Sequence, residues 1–292
     1  MSKKIVLIFN TNKPEAVETA EKLLASSALG EAEFLLPESE ALLLGAEGTD
    51  NFDGALFALV LGGDGTFLRA ARMFFGRKIP LYGINLGRLG FLSTGLPENI
   101  EADIKKILDG KYRLLEREVI KGSVVRQGKT AATMYALNDL VISKTSLSRV
   151  VELQVSVNGE LLSNYLSDGV IFATPTGSTA YALSAGGPVV PPNVSCLIMA
   201  PICAHTLFAR PVVLNGKDKI AVELMSRTAK LCLTQDGQLG YELFAGDRLE
   251  AELAAEFKVC TIEPDGTSYY DLLRRKLSWG FNGTDERMIP ND

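Results

Sequence analysis

Histidine is almost missing from this chain. Its 292 residues contain one, His205, so no histidine cluster can hold a metal and acid–base chemistry falls to other side chains. Cysteine is sparse as well: Cys196, Cys203, Cys232 and Cys260 form no CxxC pair. That spacing argues against a zinc ribbon and reads as scattered buried thiols of a reducing compartment rather than a disulfide framework. Positive charge is not in surplus, because 30 Lys and Arg face 35 Asp and Glu for a formal net charge of −5. Such a balance offers no long-range attraction to nucleic acid or to an anionic membrane, so a polyanionic ligand must be captured by local geometry. Long hydrophobic runs are absent too. The apolar stretch 5–9 behind the basic start is too short for a signal-peptide core, and no segment approaches a membrane span. The expectation is a cytoplasmic protein with neither a nucleic-acid nor a membrane partner.

What is present is an ordinary globular composition, 47% hydrophobic and 22% charged. At roughly 150 residues per domain the length predicts two domains, each large enough to bury a core. Residues 4–9 form a continuous β-branched apolar run, as in a strand buried on both faces. A helical spacing of Ala16, Ala20, Leu23 and Leu24 follows Pro14 and stops at Gly30. Strand-like 55–61, helical 67–75, strand-like 79–84 and helical 97–108 continue the alternation, which predicts an α/β domain with a parallel sheet. From about residue 118 the texture changes. Short β-rich runs at 119–125, 136–143, 150–157, 169–173, 197–201, 220–225, 230–233, 247–253 and 257–262 are separated by turn residues, which predicts an all-β, sandwich-like domain. Asn158-Gly159 marks a hairpin. Residues 270–277 return to helical spacing.

The most informative local feature is Gly62-Gly63-Asp64-Gly65-Thr66, where an apolar strand runs into glycines ahead of a helix. Glycines let the backbone bend and approach a ligand, and the helix start offers free N–H groups, a combination suited to phosphate. The pattern is neither a Walker loop nor GxGxxG. A carboxylate beside phosphates is repelled unless it holds Mg²⁺ or accepts a proton from an attacking hydroxyl. The plainer alternative is that Asp64 caps the helix or satisfies turn amides. Arg69 and Arg72, on the helix, either face phosphate or are salt-bridged.

A second cluster runs from Asp168-Gly169 through Thr174-Pro175-Thr176-Gly177-Ser178-Thr179-Ala180-Tyr181 to Ser184 and Gly186-Gly187. Hydroxyls, backbone amides and an aromatic ring in one turn suit a ligand made of sugar, phosphate and base; the alternative is a hydroxyl-rich surface loop. Asn138-Asp139 sits where a strand begins, and on its own a turn-forming pair is the better reading.

Together and in this order, these residues resemble the NAD kinase family. The resemblance extends over nearly the whole chain through Gly83 to Leu92, His205-Thr206, Arg210-Pro211, Asp236-Gly237-Gln238 and Arg275 to Gly280. The glycine turn alone is shared with lipid and sphingoid kinases, whereas Thr174 to Tyr181 beside Asn138-Asp139 is more specific. The resemblance implies an N-terminal α/β nucleotide-binding domain over 1–117, a β-rich NAD-binding domain over 118–267, and a tail, 268–292, packing back on the first. It implies phosphoryl transfer from ATP or polyphosphate to the 2′-hydroxyl of the adenosine ribose of NAD. Asp64 would be the proton acceptor and would face NAD together with Gly65. Gly62, Gly63, Gly65 and Thr66 would shape the phosphate pocket. Asn138, Asp139, Arg149, Asp168, Thr179, Ala180, Tyr181, Ser184 and Gln238 would bind NAD, with residues 179–184 lying across a subunit interface of a homodimer or homotetramer. Mg²⁺ is expected through the nucleotide phosphates rather than a protein cage. Phe91 would wall the site or fill the core, and His205 and Trp279 would be structural. The family more often has Asn-Glu at 138–139, and many bacterial members have Arg at the position of Leu166, which bears on the choice between NAD and NADH. A lipid or sphingoid kinase and a catalytically weak dinucleotide sensor are the alternatives.

Overall fold

The computed structural model describes residues 3–30, 32–145, 150–226, 230–264 and 268–279. The chain divides into two compact units, 1–115 with 260–292, and 116–259.

In the first unit β1 (Lys3–Phe9), α1 (Pro14–Leu24), β2 (Ala32–Leu35), α2 (Glu38–Leu44), β3 (Ala55–Gly62), α3 (Asp64–Met73), β4 (Leu81–Asn85), α4 (Ile100–Leu108) and β5 (Tyr112–Arg117) follow one another. The sheet order is β2-β1-β3-β4-β18-β5, where β18 is Val259–Pro264. Strands β1 to β4 are parallel, as the strand–helix alternation requires, and β18 adds in parallel to β4. Residues 5–9 and 57–61 are fully or almost fully buried, which is why these strands are apolar without alternation. Helix α1 puts Ala16, Ala20 and Leu23 against Ile5, Leu7, Leu59 and Ile84 in one core. Its first turn tolerates Pro14 because the missing N–H there has no intrahelical acceptor. The sequence reading ran this helix on to residue 29, but α1 ends at Leu24 and a short 3-10 turn covers Ser27–Leu29.

The second unit holds two antiparallel six-stranded sheets. The strands are β6 (Ile120–Arg126), β7 (Lys129–Ala136), β8 (Asp139–Lys144), β9 (Val151–Val157), β10 (Glu160–Ser167), β11 (Gly169–Ala173), β12 (Cys196–Ile202), β13 (Val212–Asn215), β14 (Ile220–Leu224), β15 (Leu231–Gln235), β16 (Leu239–Leu243) and β17 (Arg248–Leu253). One sheet has the order β10-β9-β14-β17-β6-β7 and the other β13-β12-β11-β8-β15-β16. Val124, Val155 and Val222 from the first meet Leu140, Ile142, Phe172 and Leu233 from the second in a single sandwich core. Because side chains alternate, Val141, Ile171 and Ile198 point out of the opposite face of the second sheet, where Ala182 and Val190 cover them. Ala182 lies in the four-residue α5 (Tyr181–Ser184). Asn158 (φ 52°) and Gly159 (φ 84°) make the expected tight turn between β9 and β10.

Three features differ from the sequence reading. Val259–Pro264, counted there among the strands of the β domain, joins the parallel sheet through Thr261 opposite Leu81, in the unit that also holds the last helix α6 (Tyr269–Leu277). A six-residue strand carries no mark of which sheet it completes. The thiols are not uniformly buried either: Cys196 is, Cys203 is exposed, and Cys232 and Cys260 are in between, all four unpaired. Trp279 is half exposed rather than packed. No helix among the described residues is long and apolar enough to cross a membrane.

Candidate active site

The glycine turn sits at the C-terminal end of β3. Gly63 is the residue before α3, and its carbonyl receives the N–H groups of Thr66 and Phe67 at 3.0 and 3.1 Å. Gly62 has to be small because a β-carbon there would lie 2.6 Å from Thr66 Oγ1, and Thr66 itself is buried. A β-carbon on Gly63 would meet nothing within 4 Å, so the backbone is open on that side.

Asp64 begins α3, where the helix dipole favours an anion. Its carboxylate also receives a loop that the sequence reading did not connect with it. Phe91 N–H donates to Oδ2 at 2.8 Å, and Leu92 and Ser93 N–H donate to Oδ1 at 3.0 and 3.2 Å. Gly90 makes room for this, since a methyl group there would overlap Asp64 Oδ1. A carboxylate has about four acceptor positions, so three donors leave room for one further partner, a hydroxyl proton or a metal ion but not both. The loop is held in turn by Asn85 N–H to Gly95 O and Gly95 N–H to Gly83 O, both 2.9 Å. Phe91 is only partly buried, with the Lys276 ammonium 5.5 Å from its ring centre. Of the two arginines on α3, Arg69 is taken: it reaches the fully buried Glu40 at 2.5 Å and Phe9 O at 2.9 Å.

In the second unit, one end of the β8, β11 and β15 strands gathers most of the remaining candidates. Asp139 pairs with Ala173 across β8 and β11, and Gln235 pairs with Leu140 across β15 and β8. Asn138, Asp139, the Asp236–Gln238 turn and the Thr174–Tyr181 segment therefore converge. Asp236 (φ 50°) and Gly237 (φ 62°) form the turn between β15 and β16. The Asp236 carboxylate receives the N–H groups of Leu137 (3.3 Å), Asn138 (2.7 Å) and Asp139 (3.3 Å). Sequence reasoning assigned Gln238 from this triplet and passed over Asp236; the signal available was an Asp-Gly turn, whose acid commonly binds nearby amides. Burial, followed by the negative charge of Asp236, pushes the Asp139 carboxyl up to about 7.

The hydroxyl-rich segment is partly structural. Thr174 donates to Leu137 O at 2.6 Å and receives Gly177 N–H at 3.2 Å, while Ser178 exchanges hydrogen bonds with the backbone of Val190. Gly177 packs against the backbone of Asn138, where no side chain would fit. Thr179 and Ala180 are partly exposed, and Tyr181, Ser184 and Gln238 are exposed. Asp168 lies at the other end of β11, ion-paired to Lys144 at 2.6 Å. At about 3.3 Å per residue it stands roughly 20 Å along the strand from Thr174. Arg149 is outside the described residues. His205 is exposed, its N–H bonded to Leu166 O at 2.7 Å. No group of His, Cys, Asp and Glu among the described residues has the makings of a metal cage. A cavity of about 480 Å³ on the outer face of the β6–β17–β14 sheet is a different matter: Lys121, Lys219 and Arg248, which line it, are ion-paired to glutamates.

A parallel sheet ending in a glycine–aspartate turn, together with a β-sandwich carrying a buried pair of carboxylates, defines a nucleotide-handling phosphotransferase class. Residues 46–112 match the ATP-NAD kinase N-terminal domain and residues 137–262 the ATP-NAD kinase C-terminal domain. The chain belongs to the NAD kinase family. It is 40% identical over 280 residues to the NAD kinase of Symbiobacterium thermophilum, covering 94% of this chain and 99% of that one. To the NAD kinase of Geobacter metallireducens it is 42% identical over 228 residues, 78% of this chain and 80% of the relative. A solved NAD kinase from Archaeoglobus fulgidus in complex with ATP superimposes with a TM-score of 0.69 at 26% identity, over 90% of this chain and 94% of that one. Yeast NADH kinase complexed with NADH shares the fold, with a TM-score of 0.88 at 23% identity over 96% of this chain and 88% of that chain. The match over 137–262 disposes of the lipid and sphingoid kinase alternative, which rested on the glycine turn alone.

Proposed function

We propose that this chain is an NAD kinase in which Asp64 accepts the proton of the 2′-hydroxyl of the adenosine ribose of NAD as that oxygen attacks the terminal phosphoryl group of ATP. The observation that carries the activity is full-length kinship with curated NAD kinases, 99% of the S. thermophilum enzyme being covered. The Asp64 role is supported by a carboxylate with one open acceptor position beside an open glycine backbone. Phosphoryl transfer needs positioning and charge neutralisation more than covalent chemistry, so amides, one base and a metal ion suffice.

Gly62, Gly63 and Gly65 shape the phosphate pocket, and Thr66 supports it from below. Mg²⁺, carried by the nucleotide phosphates, would supply charge neutralisation when bound and take its oxygens from substrate and water, which leaves the open position of Asp64 to the ribose hydroxyl. Asn138 and Asp139 take ribose hydroxyls or the adenine amino group. Thr179, Ala180, Tyr181 and Ser184 line the dinucleotide site, with Gln238 closing it and Arg149 meeting phosphate. The distance between Asp168 and the Asp139 end of the strands supports a homo-oligomer, dimer or tetramer, in which Asp168 meets the nicotinamide of a site built with a second copy. The working compartment is the cytoplasm.

The test is NADP formation from NAD, ATP and Mg²⁺ by the purified protein, with polyphosphate and NADH as alternative substrates. Asp64→Asn is expected to bind NAD normally and to lose at least about a hundredfold in kcat, the usual scale for a general base. Wild-type turnover in that variant removes Asp64 from the role, and tight NAD binding with no product from the wild type makes the protein a dinucleotide sensor.

A further inference from the structure

In an open parallel sheet, ligands bind beyond the C-terminal strand ends, where the strand order reverses. Here the chain runs from β1 outward to β2 and returns to β3 on the other side of β1, so the reversal falls between β1 and β3. Their ends are tied by Asn10 N–H to Leu61 O at 3.0 Å. Beyond β3 lies the glycine turn, and beyond β1 lies Lys13, the residue that precedes α1.

Lys13 is half-buried, and its ammonium lies 3.1 Å from the position a β-carbon would occupy on Gly87. Among the described residues no carboxylate stands within ion-pair distance of it. Arg69, the cation one would choose from sequence, is instead committed to Glu40. A second group at the same loop is also unmet. Asn85 is 6% exposed, its Nδ2 donates to Gly87 O at 3.2 Å, and its Oδ1 is buried without a partner. An ammonium without a counter-ion and a buried acceptor without a donor, both at Gly87, suit a ligand that brings anionic oxygens together with hydroxyl or bound-water donors. A hydrated polyphosphate has both.

We propose that Lys13 is the cation that binds the polyphosphate arm of the phosphoryl donor at the glycine turn, with Asn85 beside it. This rests on the kinase reading for its role in turnover but not for the binding itself. The test uses the full-length protein, Lys13→Gln, Lys13→Arg and, as a control for general charge, Arg88→Gln on the same exposed loop. Calorimetry with inorganic triphosphate and Mg²⁺ gives binding, and steady-state kinetics gives KM for ATP and for NAD. Lys13→Gln is expected to weaken triphosphate binding and raise KM for ATP at least about tenfold, as loss of one charge-assisted contact does, with KM for NAD within about twofold. Lys13→Arg should restore most of the affinity, and Arg88→Gln should stay within about threefold, as a screened surface charge does. Unchanged triphosphate affinity in Lys13→Gln, no measurable triphosphate binding by the wild type, or an equal loss in Arg88→Gln overturns the assignment. A wild type that binds triphosphate through Lys13 yet makes no NADP would sink the kinase reading and leave this one standing.

Discussion

Two carboxylates, Asp139 and Asp236, lie together where β8 begins, and they have different work. Asp236 is spent on backbone amides, while Asp139 is desolvated beside it and holds its proton up to about 7. A carboxylate receives ribose hydroxyls or an amino group more strongly when it is ionised. We therefore expect KM for NAD to rise as pH falls from 8 to 6, through the pKa of about 7, and Asp139→Asn to flatten that profile. The stability effect has the opposite sense. The folded pKa is raised above the unfolded value, so the protein binds more protons folded than unfolded. The contribution linked to Asp139 is fully present below about pH 4 and is lost as pH rises through 7. Urea unfolding at pH 5 and pH 8 checks this: wild type loses more stability over that interval than Asp139→Asn, and equal losses contradict it. At this scale the sequence was half legible. Asp64, Asn138 and Asp139 stand out as polar residues at strand ends, but Asp236 meets the Leu137 amide, and Lys13 the Gly87 backbone, only when positions 99 and 74 apart in the chain are brought together.

The element that disciplines Asp64 is the Gly87–Gly95 loop. It adds a parallel bridge, Ile84 to Gly95, to the edge of β4 and turns its N–H groups onto the carboxylate. Gly90 is required here by space, not by backbone twist. Gly90→Ala should swing the carboxylate off its three donors, at a stability cost of about 1–3 kcal/mol and with kcat lowered at least about tenfold. NAD affinity should stay near wild type; a full-speed Gly90→Ala enzyme would show that the loop does not position the base. Elements with strong periodicity, β1, α1, β3 and α4, were readable because burial on one or both faces imposes a pattern on the residues. Strands β2, β5, β7, β13 and β16 were missed. Each is an edge strand of its sheet and only partly buried, which leaves its sequence free of strict alternation.

Each unit has its own apolar core, with Phe57, Leu59 and Ile84 in one and Phe172, Val222 and Leu233 in the other. The second unit is also continuous in sequence, 116–259, whereas the first is completed by β18 and α6 from the far end of the chain. A fragment spanning residues 116–259 should accordingly unfold cooperatively in urea with β-rich circular dichroism. The complementary N-terminal fragment, 1–115, should be unstable without β18 beside β4. A cooperative 1–115 and an unfolded 116–259 would reverse this assignment of independence.

The sequence by itself determined the class of each unit, because a doubly covered parallel sheet and an alternating sandwich write different periodicities. It also determined the glycine turn with its aspartate, because only glycine allows the backbone to remain open there. The tertiary structure alone decided what Asp64 binds, that the Lys13 ammonium lies beside Gly87, which sheet claims Val259–Pro264 and which end of β11 carries Asp168. Each of these depends on contacts between residues far apart in the chain, and local physics leaves no trace of such a partner in the residues that meet it.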